Sequence, residues 1–100
     1  MTLQDVAKVV RSKNAGPVTL TLDVMFEREA DYQHWVQSPS LSAARIGALY
    51  GVDPARVAIH PYPAALAIKI TLPRKVVAGD PGDRDVYGAQ QHARLLGIEA

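Results

Sequence analysis

Two polar stretches hold the side chains that could do chemistry. The first is Arg11-Ser12-Lys13-Asn14-Ala15-Gly16-Pro17. Asn14 and Gly16 tolerate left-handed backbone, and turns of that kind aim successive N–H groups into a concavity that receives anions. Arg11 and Lys13 add positive charge, and Ser12 and Asn14 add neutral donors. The stretch therefore reads as a loop that captures a carboxylate or a phosphate. The alternative is a polar strand connection whose side chains satisfy its own backbone. It is not a P-loop, because the spacing and the Gly-Lys-Ser/Thr ending are absent.

The second stretch gathers Asp80, Asp83, Arg84, Asp85, Tyr87, Gln90, Gln91 and His92. His92 is suited to general acid or base work, with a carboxylate such as Asp83 or Asp85 to orient it. With Asp85 as a helix cap, Gly88 and His92 share one helix face, as do Tyr87 and Gln91. The alternative is a solvated turn in which Asp85 caps the helix and Arg84 pairs with a neighbouring acid. The three aspartates do not make a calcium loop, whose register and terminal Glu are missing. His34 and His60 stand alone, with no His-x-His or His-x-x-x-His pair, so no metal site is expected. No cofactor is implied, and no nucleophile elbow occurs. Trp35, Tyr50 and Tyr62 lack the interleaved basic residues of a base-stacking platform and read as core or interface aromatics.

These stretches must be positioned by a small number of elements. Val6, Ala7, Val9 and Val10 form a short β-rich run that ends at the Arg11–Pro17 loop. Val18, Leu20, Leu22, Val24 and Phe26 then alternate with Thr19, Thr21, Asp23 and Met25, a period of two that predicts a strand with one buried face. Glu27 to Gln37 reads as a helix, with Tyr32, Trp35 and Val36 on one side and acids near its start. Ser42 is the expected N-cap of a second helix, Leu41 and Ile46 its hydrophobic staple, and Ile46, Leu49 and Tyr50 its inner face. Gly51 suits its C-terminus, and Asp53-Pro54 starts a turn. Val57 to Tyr62 and Ala65 to Leu72 read as two further strands, the first confined to an edge by Pro61 and Pro63. A last helix is expected from about Val86 to Leu96.

Strand, strand, helix, helix, strand, strand, helix predicts an α+β two-layer sandwich. Four mostly antiparallel strands are covered by two to three helices, in a ferredoxin-like arrangement whose first two strands lack an intervening helix. The other sheet face would carry Thr19, Thr21, Asp23 and Met25 beside Ala65, Ala67, Lys69 and Thr71. That mixed surface is suited to packing on a partner.

Length and composition bound the rest. The 100 residues fit one domain over 1–100. An apolar fraction of 48% and a charged fraction of 21% are those of a globular chain. A net charge of +1 gives no field to draw nucleic acid or anionic lipid. The absence of cysteine excludes disulfides and thiolate metal sites. Met1 to Val10 has no long apolar run, and no stretch reaches the roughly 20 apolar residues that span a bilayer. The expectation is a cytoplasmic domain.

The Arg11–Pro17 stretch with Thr21-Leu22-Asp23, together with Ala65–Lys69 and Gly82–His92, resembles the hallmark of a small bacterial and archaeal family. It is known as a domain of unknown function and is often encoded beside proteins of the acyclic terpene utilisation (AtuA-like) type. The layout is also similar to the ferredoxin-fold domain at the C-terminus of some AtuA-like proteins. There a Ser-Gly-Asp-Lys-Gly type motif stands where this chain has Ser12–Gly16, with a Leu-Leu ending like Leu95-Leu96. Here the motif's first glycine and its acid are replaced.

The resemblance implies a detached small subunit that docks on a larger AtuA-like partner and helps to form a shared site. Arg11, Ser12, Lys13, Asn14, Gly16, Arg84 and Tyr87 would then bind a small anionic substrate, and Asp83, Asp85 and His92 would handle protons. Catabolic neighbourhoods suggest hydration or its reverse on a hydroxy acid or acyl-thioester. Two other readings stay open: an independent homo-oligomeric domain that binds a small anion, and a stand-alone small enzyme, which has little room for a deep pocket.

Overall fold

The computed structural model describes residues 2–15, 18–73 and 97–98. Along these, a four-residue helix α1 (Leu3–Val6) leads into strand β1 (Ala7–Asn14), which pairs with β2 (Thr19–Phe26). Helices α2 (Glu29–Val36) and α3 (Ala43–Tyr50) follow, then strands β3 (Ala58–Tyr62) and β4 (Ala67–Pro73). The sheet has the order β1-β2-β4-β3, and every neighbouring pair is antiparallel. This is the expected two-layer, ferredoxin-like α+β architecture. β1–β2 and β3–β4 are sequential antiparallel pairs, and the chain returns from β2 to the sheet through α2 and α3.

One face of the sheet makes the core. Leu20, Leu22, Val24 and Phe26 of β2 and Ile68, Ile70 and Leu72 of β4 are buried in one cluster with Leu3, Tyr32, Trp35, Leu41, Ile46 and Tyr50. The Phe26 and Tyr32 rings meet edge to face, their centroids 6.4 Å apart. Tyr32 and Trp35 come inward together because residues three apart share a helix face. α2 starts at Glu29, inside the span expected for it, with Glu29 and Asp31 in its first turn.

α3 follows its sequence signals with one exception. The Ser42 hydroxyl accepts a hydrogen bond from the Arg45 N–H at 3.3 Å, and Gly51 ends the helix at φ 69°. Leu49 does not face inward: it is exposed, and Gly47 takes the buried position beside Ile46 and Tyr50. The glycine lets the helix lie against Pro54, in the single turn Pro54–Arg56, whose N-cap Asp53 accepts from the Ala55 N–H at 2.9 Å. β3 is an edge strand, as its Pro61 requires.

The start of the chain differs from its sequence reading. Leu3–Val6 is helical, and β1 runs on through Arg11, Ser12, Lys13 and Asn14. The Arg11–Asn14 part of the expected loop is therefore strand. β2 supplies the reason: its apolar run pairs with β1 as far as Asn14↔Leu20, and an edge strand held on one side tolerates polar residues. The expected helix from Val86 to Leu96 lies outside the described residues. None of the described helices is long and apolar enough to cross a membrane.

Candidate functional site

Strand pairing decides what the first polar stretch can do. Successive strand residues point to opposite faces. Ser12 and Asn14 stand opposite Leu22 and Leu20 and so lie on the helix-covered side. Ser12 is buried there and Asn14 half-buried. Arg11 and Lys13 stand opposite Asp23 and Thr21 on the other face, and both are exposed. The four residues thus divide into two pairs, and the single concavity expected of a loop does not form from them. The connection beyond them is short, with the Ala15 N–H donating to the Thr19 carbonyl at 2.9 Å.

The face opposite the helices is organised in cross-strand rows. Val9, Met25, Ala67 and Tyr62 form an apolar row, one residue from each strand. Next to it run Arg11, Asp23, Lys69 and His60, and then Lys13, Thr21, Thr71 and Ala58. In the second row the Asp23 carboxylate lies between two cationic residues. Arg11 Nε approaches Asp23 Oδ2 to 3.4 Å, the Arg11 side chain being 58% exposed and that of Asp23 11%. Lys69 is the Asp23 partner on the other flank.

This face was expected to be a mixed polar and apolar surface, and its centre is buried. Thr21 and Asp23 are buried, although they alternate with the core residues of β2. Asp23, Lys69 and Thr71 were not among the residues singled out for a site. Their signal lay in the alternation, since each falls in the out-of-phase set of a strand whose other set is strongly apolar.

The second polar stretch enters only through its approach. Pro73, the last residue of β4, pairs with Thr19 at the start of β2. The chain therefore departs toward Asp80–His92 from the end of the sheet that carries the β1–β2 connection. At the other end, the Leu3 N–H donates to the Ile98 carbonyl at 2.8 Å. Gly16, Asp83, Arg84, Asp85, Tyr87 and His92 lie outside the described residues.

Among the described residues no group of three or more His, Cys, Asp or Glu side chains could hold a metal ion. His34 sets its ring edge-on to Trp35, with centroids 6.0 Å apart. Asp5 is a carboxylate with a shifted titration. Its Oδ2 accepts from the Thr2 N–H at 2.9 Å and the Thr2 hydroxyl at 3.0 Å, and these bonds hold its pKa below the usual value. They serve the start of α1, far along β1 from Lys13. This arrangement can attract an anion through Arg11, Lys13 and Lys69, with threonine hydroxyls between them.

A family model described as Domain of unknown function (DUF4387) matches residues 3–99. No curated protein and no solved structure matches the chain.

Proposed function

We propose that this chain, which belongs to the DUF4387 family, is the small subunit of a two-component enzyme. In this reading it docks on a larger AtuA-like protein and lends polar residues to a shared site. One observation carries the proposal: Pro73 pairs with Thr19. The segment that leads to Asp83, Asp85 and His92 thus sets out from the end of the sheet where Lys13 and the β1–β2 connection lie. β4 therefore stops at the end of the sheet where β1 hands over to β2.

The division of β1 into two faces refines the roles. Arg11 and Lys13 supply the charge that holds an anionic group of the substrate, with Gly16, Arg84 and Tyr87 completing the binding set. Ser12 and Asn14, on the helix-covered side, support the strand from behind and leave the anion to Arg11 and Lys13. His92, oriented by Asp83 or Asp85, moves the proton. In a dehydration of a 3-hydroxy acid or 3-hydroxyacyl-thioester, one group removes the proton beside the carbonyl and another protonates the departing hydroxyl, so that water and the unsaturated product form. The larger subunit supplies most of the pocket, because a chain of 100 residues has little volume to spare.

The test is reconstitution. The chain is mixed with an AtuA-like protein, their mass in solution is measured, and turnover is assayed on short hydroxy acids and their thioesters. Lys13→Ala should raise KM, and His92→Ala should lower kcat by about 100-fold or more. Unchanged turnover in both variants overturns the site. A homo-oligomer that ignores the large protein favours instead an independent domain that binds a small anion.

A further inference from the structure

We infer that the sheet face opposite the helices is the docking surface, and that its occupant is a different protein chain presenting carboxylates around an apolar contact. This rests on the small-subunit reading above and names the surface through which that subunit binds.

Three observations support it. The first is composition by register. The Val9–Met25–Ala67–Tyr62 row is apolar, and Tyr62 at its end is 50% exposed. Tyrosine, methionine and arginine are enriched at protein interfaces, where a large ring or long side chain anchors the contact.

The second is charge. Arg11, Lys13 and Lys69 share this face, and among its described residues Asp23 is the only carboxylate. Asp23 is already engaged by Arg11. Lys69, which the substrate-binding set does not use, therefore remains as surplus positive charge on a chain whose net charge is only +1. A second copy placed face to face would set cations against cations, whereas an acidic surface of another protein would neutralise them.

The third is shape. The outer strands β1 and β3 expose Arg11, Lys13, Ala58, His60 and Tyr62 along this face, Val9 and Met25 are half-buried, and the centre at Thr21, Asp23 and Ala67 is buried. The accessible groups thus form two flanks around a filled middle. Pro61 removes one backbone donor from β3, so the neighbouring edge is poorly suited to adding a strand. The contact is accordingly one between side chains across the face.

The experiment compares the intact chain with Lys69→Glu and Tyr62→Ala, and with Arg45→Glu, which changes an exposed cation on α3. Each is titrated into the AtuA-like protein by calorimetry, at low salt and at about 0.3 M salt, after sedimentation of the chain alone. Lys69→Glu and Tyr62→Ala should each weaken binding about tenfold or more. Arg45→Glu should stay within about twofold, and salt should weaken the unsubstituted complex by screening.

A complex that forms normally with either Lys69→Glu or Tyr62→Ala overturns the docking face and leaves the small-subunit reading standing. No complex from the unsubstituted chain overturns both. A homodimer broken by Lys69→Glu also overturns the inference, with a second copy as the occupant. If either variant fails to fold, the salt series on the unsubstituted pair decides, and an affinity indifferent to salt counts against the proposal.

Discussion

Arg11 Nε lies 3.4 Å from Asp23 Oδ2, across the directly opposed pair that joins β1 to β2 on the sheet face away from the helices. The separation is long for a hydrogen bond, so attraction between the charges matters more than bond geometry. The two ends are unequally solvated, since the guanidinium stem is mostly exposed and the carboxylate mostly covered. Lys69 stands opposite Asp23 on the other flank, so Asp23 keeps a cationic neighbour when Arg11 is lost.

Asymmetry follows from that arrangement. Arg11→Met should cost less than about 1 kcal/mol, because the guanidinium is mostly exposed and Lys69 remains opposite Asp23. Asp23→Ala should cost more, because it leaves Arg11 and Lys69 flanking an uncharged position and removes packing from the centre of the sheet. A double-mutant cycle on denaturant unfolding measures the coupling, expected at about 0.2–1 kcal/mol. Equal losses from both single variants would contradict the account.

The short first helix is more important to the core than its length suggests. Leu3 is completely buried, and its N–H donates to Ile98 near the other end of the chain. Leu3→Ala should therefore destabilise by about 2–5 kcal/mol. Substituting the exposed neighbour Gln4 by Ala should change little, within about 0.5 kcal/mol. Chemical denaturation of the two variants side by side checks the contrast.

Asp5 gives a pH dependence of known sign. Its folded-state pKa lies below the ordinary value because the carboxylate accepts two hydrogen bonds from Thr2. A depressed pKa means that the contribution is fully present above the unfolded value, about 3.9 for aspartate. It is lost as the pH falls through the lower folded value. Asp5→Ala should thus be less stable than the unsubstituted chain at neutral pH, and the gap should close in acid. Thermal unfolding at a series of pH values would show it, and a gap that widens in acid would refute the assignment.

Much of the fold could be read from the residues, and the reasons are physical. The alternation Leu20, Leu22, Val24, Phe26 is strong because one face of β2 is wholly core. Ser42 and Gly51 mark α3 because helix ends leave backbone groups that need those residues. Arg11–Asn14 misled because an edge strand takes its conformation from its neighbour, and polar composition then mimics a loop. Leu49 misled for a related reason. Helical spacing gives the phase of the inner face, but the close approach of Pro54 selects Gly47 for the inside. Of the site, the charge at Arg11 and Lys13 was legible. Its sharing with Asp23 and Lys69 was not, since strand register is a tertiary fact.

The turn into β4 stores backbone strain. Leu66 has φ 50° and ψ 44°, a left-handed conformation that costs a residue with a Cβ about 1–2 kcal/mol. It is held by the Leu66 N–H donating to Pro63 at 3.1 Å and by the Phe26 N–H donating to the Leu66 carbonyl at 2.8 Å. Its side chain is half-buried against the core. Leu66→Gly should be close to neutral, with relieved strain offsetting lost packing and a more flexible unfolded chain. Leu66→Val should be clearly worse, because a β-branched side chain fits this conformation poorly. Equal stability of the two variants would argue against the strained geometry.

Gly47 within α3 and Gly51 at its end should fail for different reasons when replaced. At Gly47 an added Cβ would lie 2.9 Å from the Val52 carbonyl oxygen, 3.1 Å from Pro54 Cγ and 3.2 Å from Pro54 Cα. Those neighbours are backbone or a rigid ring, so the helix and the Pro54–Arg56 turn must move apart. Alanine gains about 1 kcal/mol of helix propensity, but overpacking costs about 1–3 kcal/mol. Gly47→Ala should be destabilised on balance, and Gly47→Ser at least as much. Gly51 poses a problem of backbone and not of space. At φ 69° it sits in the left-handed region, and its N–H donates to the Gly47 carbonyl to close the helix. Gly51→Ala should cost about 1 kcal/mol, and Gly51→Asn less, because asparagine visits that region readily. Unfolding free energies for the four variants separate the two causes. If asparagine at 51 is no better than alanine, the loss there is steric and the conformational argument falls.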